Sequence, residues 1–191
     1  MDVISAAVLL RHGDRYLFQR KDQGYPVEAF RGHLCFVGGS WTETGDRTPR
    51  DTALRELHEE VAPAPTSPQL AFLGAFTLWV PECRTRTRDY QILNFIYALD
   101  LDADGHELLE GDAAWRALPA ARRERWCWGY DHVLGHCAEH LGVAWGVTPD
   151  PAVRCEPTQV SGDTAYADMD LSALRLNPLR DGDLDEAAPL R

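Results

Sequence analysis

Arg55-Glu56-Leu57-His58-Glu59-Glu60, downstream of the glycine pair Gly38-Gly39, reads as one stretch of helix whose two faces have different tasks. Residues three and four apart are neighbours on a helix surface, so Glu56, Glu59 and Glu60 converge while Leu54, Leu57 and Val61 form an apolar stripe. An acidic helix face is most often merely solvated. Three close carboxylates with few compensating lysines repel one another, however, and a bound divalent cation relieves that repulsion. Hard oxygen donors favour Mg2+ or Mn2+ over zinc. The start of the helix is marked by Thr48 as cap, Pro49 in the first turn and Asp51 completing a Thr-x-x-Asp capping box.

The segment from Gly39 to Pro63 resembles the Nudix box, in which Gly, five residues, Glu and seven residues precede Arg-Glu-apolar-any-Glu-Glu-any-Gly-apolar. Arg55, Glu56, Leu57, Glu59 and Glu60 match its second half in register. In the first half Gly45-Asp46 stands for the family's Gly-Glu, with six residues between Gly39 and Asp46 and eight between Asp46 and Arg55, each gap one residue longer than the pattern. Ala62 replaces the late glycine, and Val37 stands where a proline often precedes the glycine pair.

The surroundings agree with this likeness. Val3 to Leu10 and Tyr16 to Arg20 are apolar runs joined by His12-Gly13-Asp14, a hairpin signal, and Gln69 to Val80 and Tyr90 to Leu101 read as two further strands. A helix from about Tyr130 to Leu141 follows. Interleaved strands and helices imply a sheet covered on both faces, and the resemblance implies the α/β class, an α/β/α sandwich with a mixed β-sheet. The expected division is a Nudix domain over residues 1–146 and an acidic, proline-containing extension over 147–191. Pro149, Pro151, Pro157, Pro178 and Pro189 punctuate that extension and Asp181, Asp183, Asp185 and Glu186 crowd its end, as in a loosely packed tail in which a short strand or helix can form around Ala165 to Leu176, with a lid or dimer contact as the alternative.

With 191 residues and 45% hydrophobic content, the chain can bury a core as one domain. No apolar run is long enough to span a membrane, no signal core is evident, and five scattered cysteines suit reduced thiols, so a cytoplasmic location is expected. A net charge of −11 argues against gripping polymeric nucleic acid over a broad surface, whereas a small nucleotide can be neutralised locally. Lys21, the one lysine beside eighteen arginines, reads as compositional bias.

The resemblance implies a Mg2+- or Mn2+-dependent hydrolase that cleaves the diphosphate bond of a nucleoside diphosphate derivative. Glu56, Glu59 and Glu60 carry over as metal ligands, joined by the carbonyl of Gly38, and Arg55 as the group orienting a carboxylate. The general base is one of the glutamates or a distal acid, Glu110 or Asp112. For substrate binding, Arg84, Arg86 and Arg88 alternate along an extended segment and either hold a terminal phosphate or form a solvated face, and Trp79, Trp41 and Tyr90 either stack on a base or serve the core. His132, His136 and His140 recur every four residues and would form a row on a helix, a spacing that either binds zinc or simply faces solvent. A noncatalytic Nudix-fold module that binds a nucleotide or nucleotide sugar is the competing reading, and a homodimer is the assembly that the resemblance admits.

Overall fold

The computed structural model describes residues 2–25, 28–61, 65, 68–80, 89–101, 114–117, 121, 123–143, 145–146, 151–160 and 164–174. Strand β1 (Val3–His12) is the axis of the fold. Its side chains alternate, with Ile4, Ala6, Val8 and Leu10 in one buried cluster and Ala7 and Leu9 in another, so both faces of the sheet are covered. β2 (Arg15–Arg20) folds back on β1 through the expected hairpin, pairing Leu10 with Leu17. β3 (Leu34–Cys35) extends the sheet beyond β2, and β4 (Val37–Ser40) pairs with β1 ahead of the hairpin contact.

β5 (Ala71–Val80) and β6 (Tyr90–Asp100) form an antiparallel pair, and β6 runs parallel to β1 from Val3↔Ile92 to Arg11↔Asp100. The parallel β1–β6 pair among antiparallel neighbours makes the sheet mixed. A parallel pair needs a long crossover, and α1 (Pro49–Glu60) lies within it. β7 (Ala114–Ala117) adds to β2.

α1 starts as expected. Thr48 accepts a hydrogen bond from the Asp51 amide at 3.1 Å, and the Asp51 carboxylate accepts one from the Thr48 amide at 2.9 Å. Its buried face is Thr52, Ala53, Glu56 and Leu57, against the cluster that holds Val8, Leu10 and Phe95. α2 (Tyr130–His140) covers the opposite face through Val133, Leu134, Cys137 and Ala138. The layers are helix, sheet, helix.

Residues 154–160 and 164–174, within the stretch expected as a loose extension, are part of the sandwich. β8 (Arg154–Val160) pairs antiparallel with β5, and the short helix α3 (Thr164–Ala167) leads to a 3-10 turn, Leu171–Ala173. Ala167 and Leu171 are fully buried on the α1 side, the Tyr97 hydroxyl donates to the Ala167 carbonyl at 2.6 Å, and Arg50 bonds Asp168 at 2.7 Å. Prolines had suggested poor packing, but Pro157 sits where the β5–β8 register shifts, and an edge strand tolerates it. Leu171→Ala is therefore expected to cost about 2–4 kcal/mol, the price of a buried leucine plus its cavity. Urea unfolding measures it, and a loss under about 0.5 kcal/mol, the range of surface changes, would mean the segment is only draped on the surface.

Candidate active site

The site is built where β4 meets α1. At Gly38 the chain runs so close to β1 that a Cβ would lie 2.4 Å from the Ala6 carbonyl oxygen. A Cβ at Gly39 would lie 2.4 Å from Glu56 Oε1, so the missing side chain is what lets that carboxylate rest on the strand. The Gly38 amide donates to Glu60 Oε2 at 2.8 Å; its recorded contact to the acidic face is thus through N–H, whereas the carbonyl was the expected donor to a metal.

Arg55 gathers the rest. Its Nη1 donates to Glu56 at 2.7 Å and to Glu59 at 3.0 Å, its Nη2 to the Ser40 carbonyl at 2.8 Å, and its Nε to both oxygens of Asp46 at 3.2 Å. The loop that is one residue longer on each side of Asp46 still delivers that carboxylate to Arg55. It does so through a tight turn in which the Asp46 amide bonds the Thr42 carbonyl at 3.2 Å and the Trp41 indole donates to the Asp46 carbonyl at 2.8 Å. Trp41, expected as a stacking ring, is thereby a brace for the loop.

Burial raises the pKa of Glu56 and of Glu60, and like charge adds to it from Glu59 and Asp46 on the first and from Glu56 on the second; Arg55 and the Gly38 amide oppose the rise. Asp46 moves the other way. Burial disfavours its charge, but hydrogen bonds from Arg55, Thr52 and Thr42 outweigh that and leave it below the ordinary aspartate range. A depressed folded pKa stabilises the fold above the ordinary range, and the contribution is lost as pH falls through the depressed value. Asp46→Asn is accordingly expected to cost about 1–3 kcal/mol near neutral pH, with the gap to the native protein closing in acid. Thermal melts across pH test this; a gap that persists at low pH would refute it.

Among the described residues, no group of three or more His, Cys, Asp or Glu side chains is poised as a ready cation cage, neither the glutamates nor the row His132, His136 and His140. Arg55 bridges Glu56 and Glu59 instead. The donor set nonetheless suits a hard divalent ion: Glu56 is buried beside Glu59 and Glu60, the like charges repel one another, and all offer oxygen.

A cavity of about 530 Å³ opens beside these carboxylates. Arg55, Glu56, Glu59 and Glu60 line one part, with Gly38 and Gly39; Lys21, Tyr25, Tyr90, Asn94, Trp128 and Tyr130 line the rest. Trp128 is held at φ +45°, a conformation rare for a bulky side chain, and its ring packs on Phe30 at 4.6 Å between centroids. Lys21 Nζ lies 5.0 Å from the centre of the Tyr25 ring and 5.9 Å from that of Trp128.

Of the residues expected to bind substrate, Tyr90 lines the cavity and Trp79 does not. Leu78 and Val80 point to the α2 side, so Trp79 between them points to the other, where the Arg154 guanidinium covers its ring at 4.5 Å. Arg84, Arg86, Arg88, Glu110 and Asp112 lie outside the described residues. Sequence reasoning passed over Lys21, Tyr25, Asn94 and Trp128. Only Trp128-Gly129 carried a local signal, an aromatic residue beside a turn glycine.

A helix-covered mixed sheet, with an arginine-bridged acidic helix face laid against a glycine strand, defines the Nudix class of fold. The NUDIX domain model matches residues 1–134, and the chain belongs to that family. Members are generally hydrolases of phosphoric anhydrides, and some are regulatory. No curated protein matches the sequence. Among solved structures, NrtR of Shewanella oneidensis is similar, with 19% identity and a TM-score of 0.55 over 73% of this chain; the chain spans 64% of that protein's length. The NUDIX domain of the same NrtR, complexed with ADP ribose, has 19% identity and a TM-score of 0.54 over 74% of this chain and 89% of its own. A mutT/nudix family protein from Listeria innocua has 14% identity and a TM-score of 0.55 over 74% of this chain and 94% of its own. These identities bear on the fold alone. Among the described residues no helix is long and apolar enough to cross a membrane.

Proposed function

We propose that the chain is a Mg2+- or Mn2+-dependent hydrolase that cleaves the diphosphate bond of a nucleoside diphosphate derivative. The observation that carries this reading is the continuity of one cavity, acidic at α1 and aromatic at Trp128, Tyr25 and Tyr90. A diphosphate bearing a flat, apolar-faced base has that polarity: anionic at one end, stackable at the other. Glu56, Glu59 and Glu60 would hold the cation, which when bound would neutralise phosphoryl oxygens and acidify water. Arg55 orients Glu56 and Glu59 through its two bonds and is itself fixed by Asp46 and Ser40. One of the glutamates serves as general base, and Lys21 contributes positive charge near Glu60. Glu110, Asp112, Arg84, Arg86 and Arg88 keep their proposed roles as distal acid and phosphate ligands.

One observation favours the second reading, a noncatalytic nucleotide-binding module: each of the three glutamates already accepts a hydrogen bond at one oxygen, from Arg55 or from the Gly38 amide. Turnover separates the two. The purified protein is incubated with magnesium or manganese and a panel of ADP-ribose, dinucleoside polyphosphates, nucleoside triphosphates and sugar nucleotides, beside a Glu59→Gln, Glu60→Gln double variant. Metal-dependent products that vanish in the variant support the hydrolase; ligand bound and returned intact supports the module.

A further inference from the structure

The loop between β4 and α1 is one residue longer than the family pattern on each side of Asp46, and Asp46 is the carboxylate that grips Arg55. Each added residue raises the entropy lost in fixing the loop, so a longer loop needs more anchors to hold one carboxylate in place. Its entry is tied to β1, where the Trp41 amide bonds the Ile4 carbonyl at 2.9 Å. Its exit is tied from elsewhere: the Leu171 amide donates to the carbonyl of Arg47, the residue after Asp46, at 2.9 Å. Leu171 stands beyond residues 1–134, which the family model matches.

The 3-10 turn that carries Leu171 does not use this amide itself. Its cap, Asp170, accepts from the amide and hydroxyl of Ser172, and the Leu174 amide closes the turn on the Leu171 carbonyl. The segment is anchored to the sheet, where the Tyr97 hydroxyl of β6 bonds the Ala167 carbonyl, and to α1, where Arg50 bonds Asp168. The Leu171 side chain is fully buried in the cluster that also holds Ala53 and Leu57 of α1. The donor is thus fixed to sheet and helix, while the acceptor is loop backbone. From Leu171 the contacts run without a gap to Arg47, along the chain to Asp46, on to Arg55, and so to Glu56 and Glu59.

We propose that Leu171 is a positioning residue for the acidic site: its backbone N–H, supplied from outside the family domain, fixes the loop exit so that Asp46 holds Arg55 between Glu56 and Glu59. The proposal rests on the reading of those glutamates as the metal-binding face. An arginine that Asp46 no longer steadies leaves the two carboxylates misaligned for a cation.

The test is a double-mutant cycle. Leu171→Pro removes the N–H and suits the backbone, since proline fits the first position of a helical turn and Asp170 before it is extended, at φ −72° and ψ 107°. Leu171→Ala also loses the buried leucine but keeps the N–H. Asp46→Asn is placed in both backgrounds, and folding equilibrium constants are taken from urea unfolding. The factor by which Asp46→Asn lowers that constant should be about threefold or more smaller with proline than with alanine, because Asp46 has then already lost its hold. A leucine that only fills the core gives equal factors, which overturns the proposal. In calorimetric titration Mn2+ should bind Leu171→Pro about threefold or more weakly than Leu171→Ala, and equal affinities sink the link to the site. If Mn2+ binds none of these proteins, the native one included, the metal reading fails and the cycle alone decides the positioning. Should Leu171→Pro fail to fold, amide hydrogen exchange of Asp46→Asn beside the native protein decides. By reciprocity the Leu171 amide must then exchange faster, by about threefold or more beyond any change in β1, and an equal change at Leu171 and in β1 overturns the proposal.

Discussion

Glu56→Gln is expected to lower metal-dependent turnover by about a thousandfold or more, since loss of several kcal/mol of charge stabilisation has that effect on rate, while stability stays level or rises. The carboxylate is largely buried, lies against Gly39 and is bonded by Arg55. Glutamine preserves its shape and can still accept from Arg55, so packing should survive. What disappears is a desolvated negative charge beside Glu59 and Asp46, whose repulsion disfavours the folded state. A gain in stability with a loss of function is the signature of a group kept for chemistry rather than for folding. Rates measured beside thermal melts decide: turnover within tenfold of native would remove Glu56 from the catalytic set, and a collapsed melt would make it a structural residue.

The glycine pair should separate fold from site. Alanine at Gly38 drives a Cβ to 2.4 Å from the Ala6 carbonyl oxygen and 2.6 Å from the Ala7 Cα. Both are backbone atoms in the middle of the sheet, with β6 on the other side of β1, so neither can move without breaking pairing. Gly38→Ala is expected to cost at least about 3 kcal/mol, beyond ordinary overpacking. Alanine at Gly39 meets only the end of the Glu56 side chain. A carboxylate can swing away, so Gly39→Ala should fold and lose metal affinity and turnover together. Urea unfolding and metal titration of both variants check this pair. Equal stability of Gly38→Ala and native protein, or full activity of Gly39→Ala, would contradict it.

The parts of the molecule that could be read along the chain are those whose cause is local. The Thr48 cap, the acidic and apolar faces of α1, the hairpin at Gly13 and the alternation of β1, β5 and β6 depend on neighbours within a turn or two residues away. For the same reason Trp79 was misplaced: its type suits stacking, but which face it points to depends on register with β6 and β8.

What the amino-acid order alone determined was therefore the family, the acidic helix and the strands that carry it. Only the tertiary structure decided that Arg55 spans Glu56, Glu59 and Asp46, that β8 closes the β5 edge, and that Lys21, Asn94 and Trp128 share a cavity with the glutamates. Periodicity encodes which face a side chain takes within its own element. Which groups meet across elements is set by sheet order, by close approach at glycines and by burial, and these are fixed when the distant segments pack against one another.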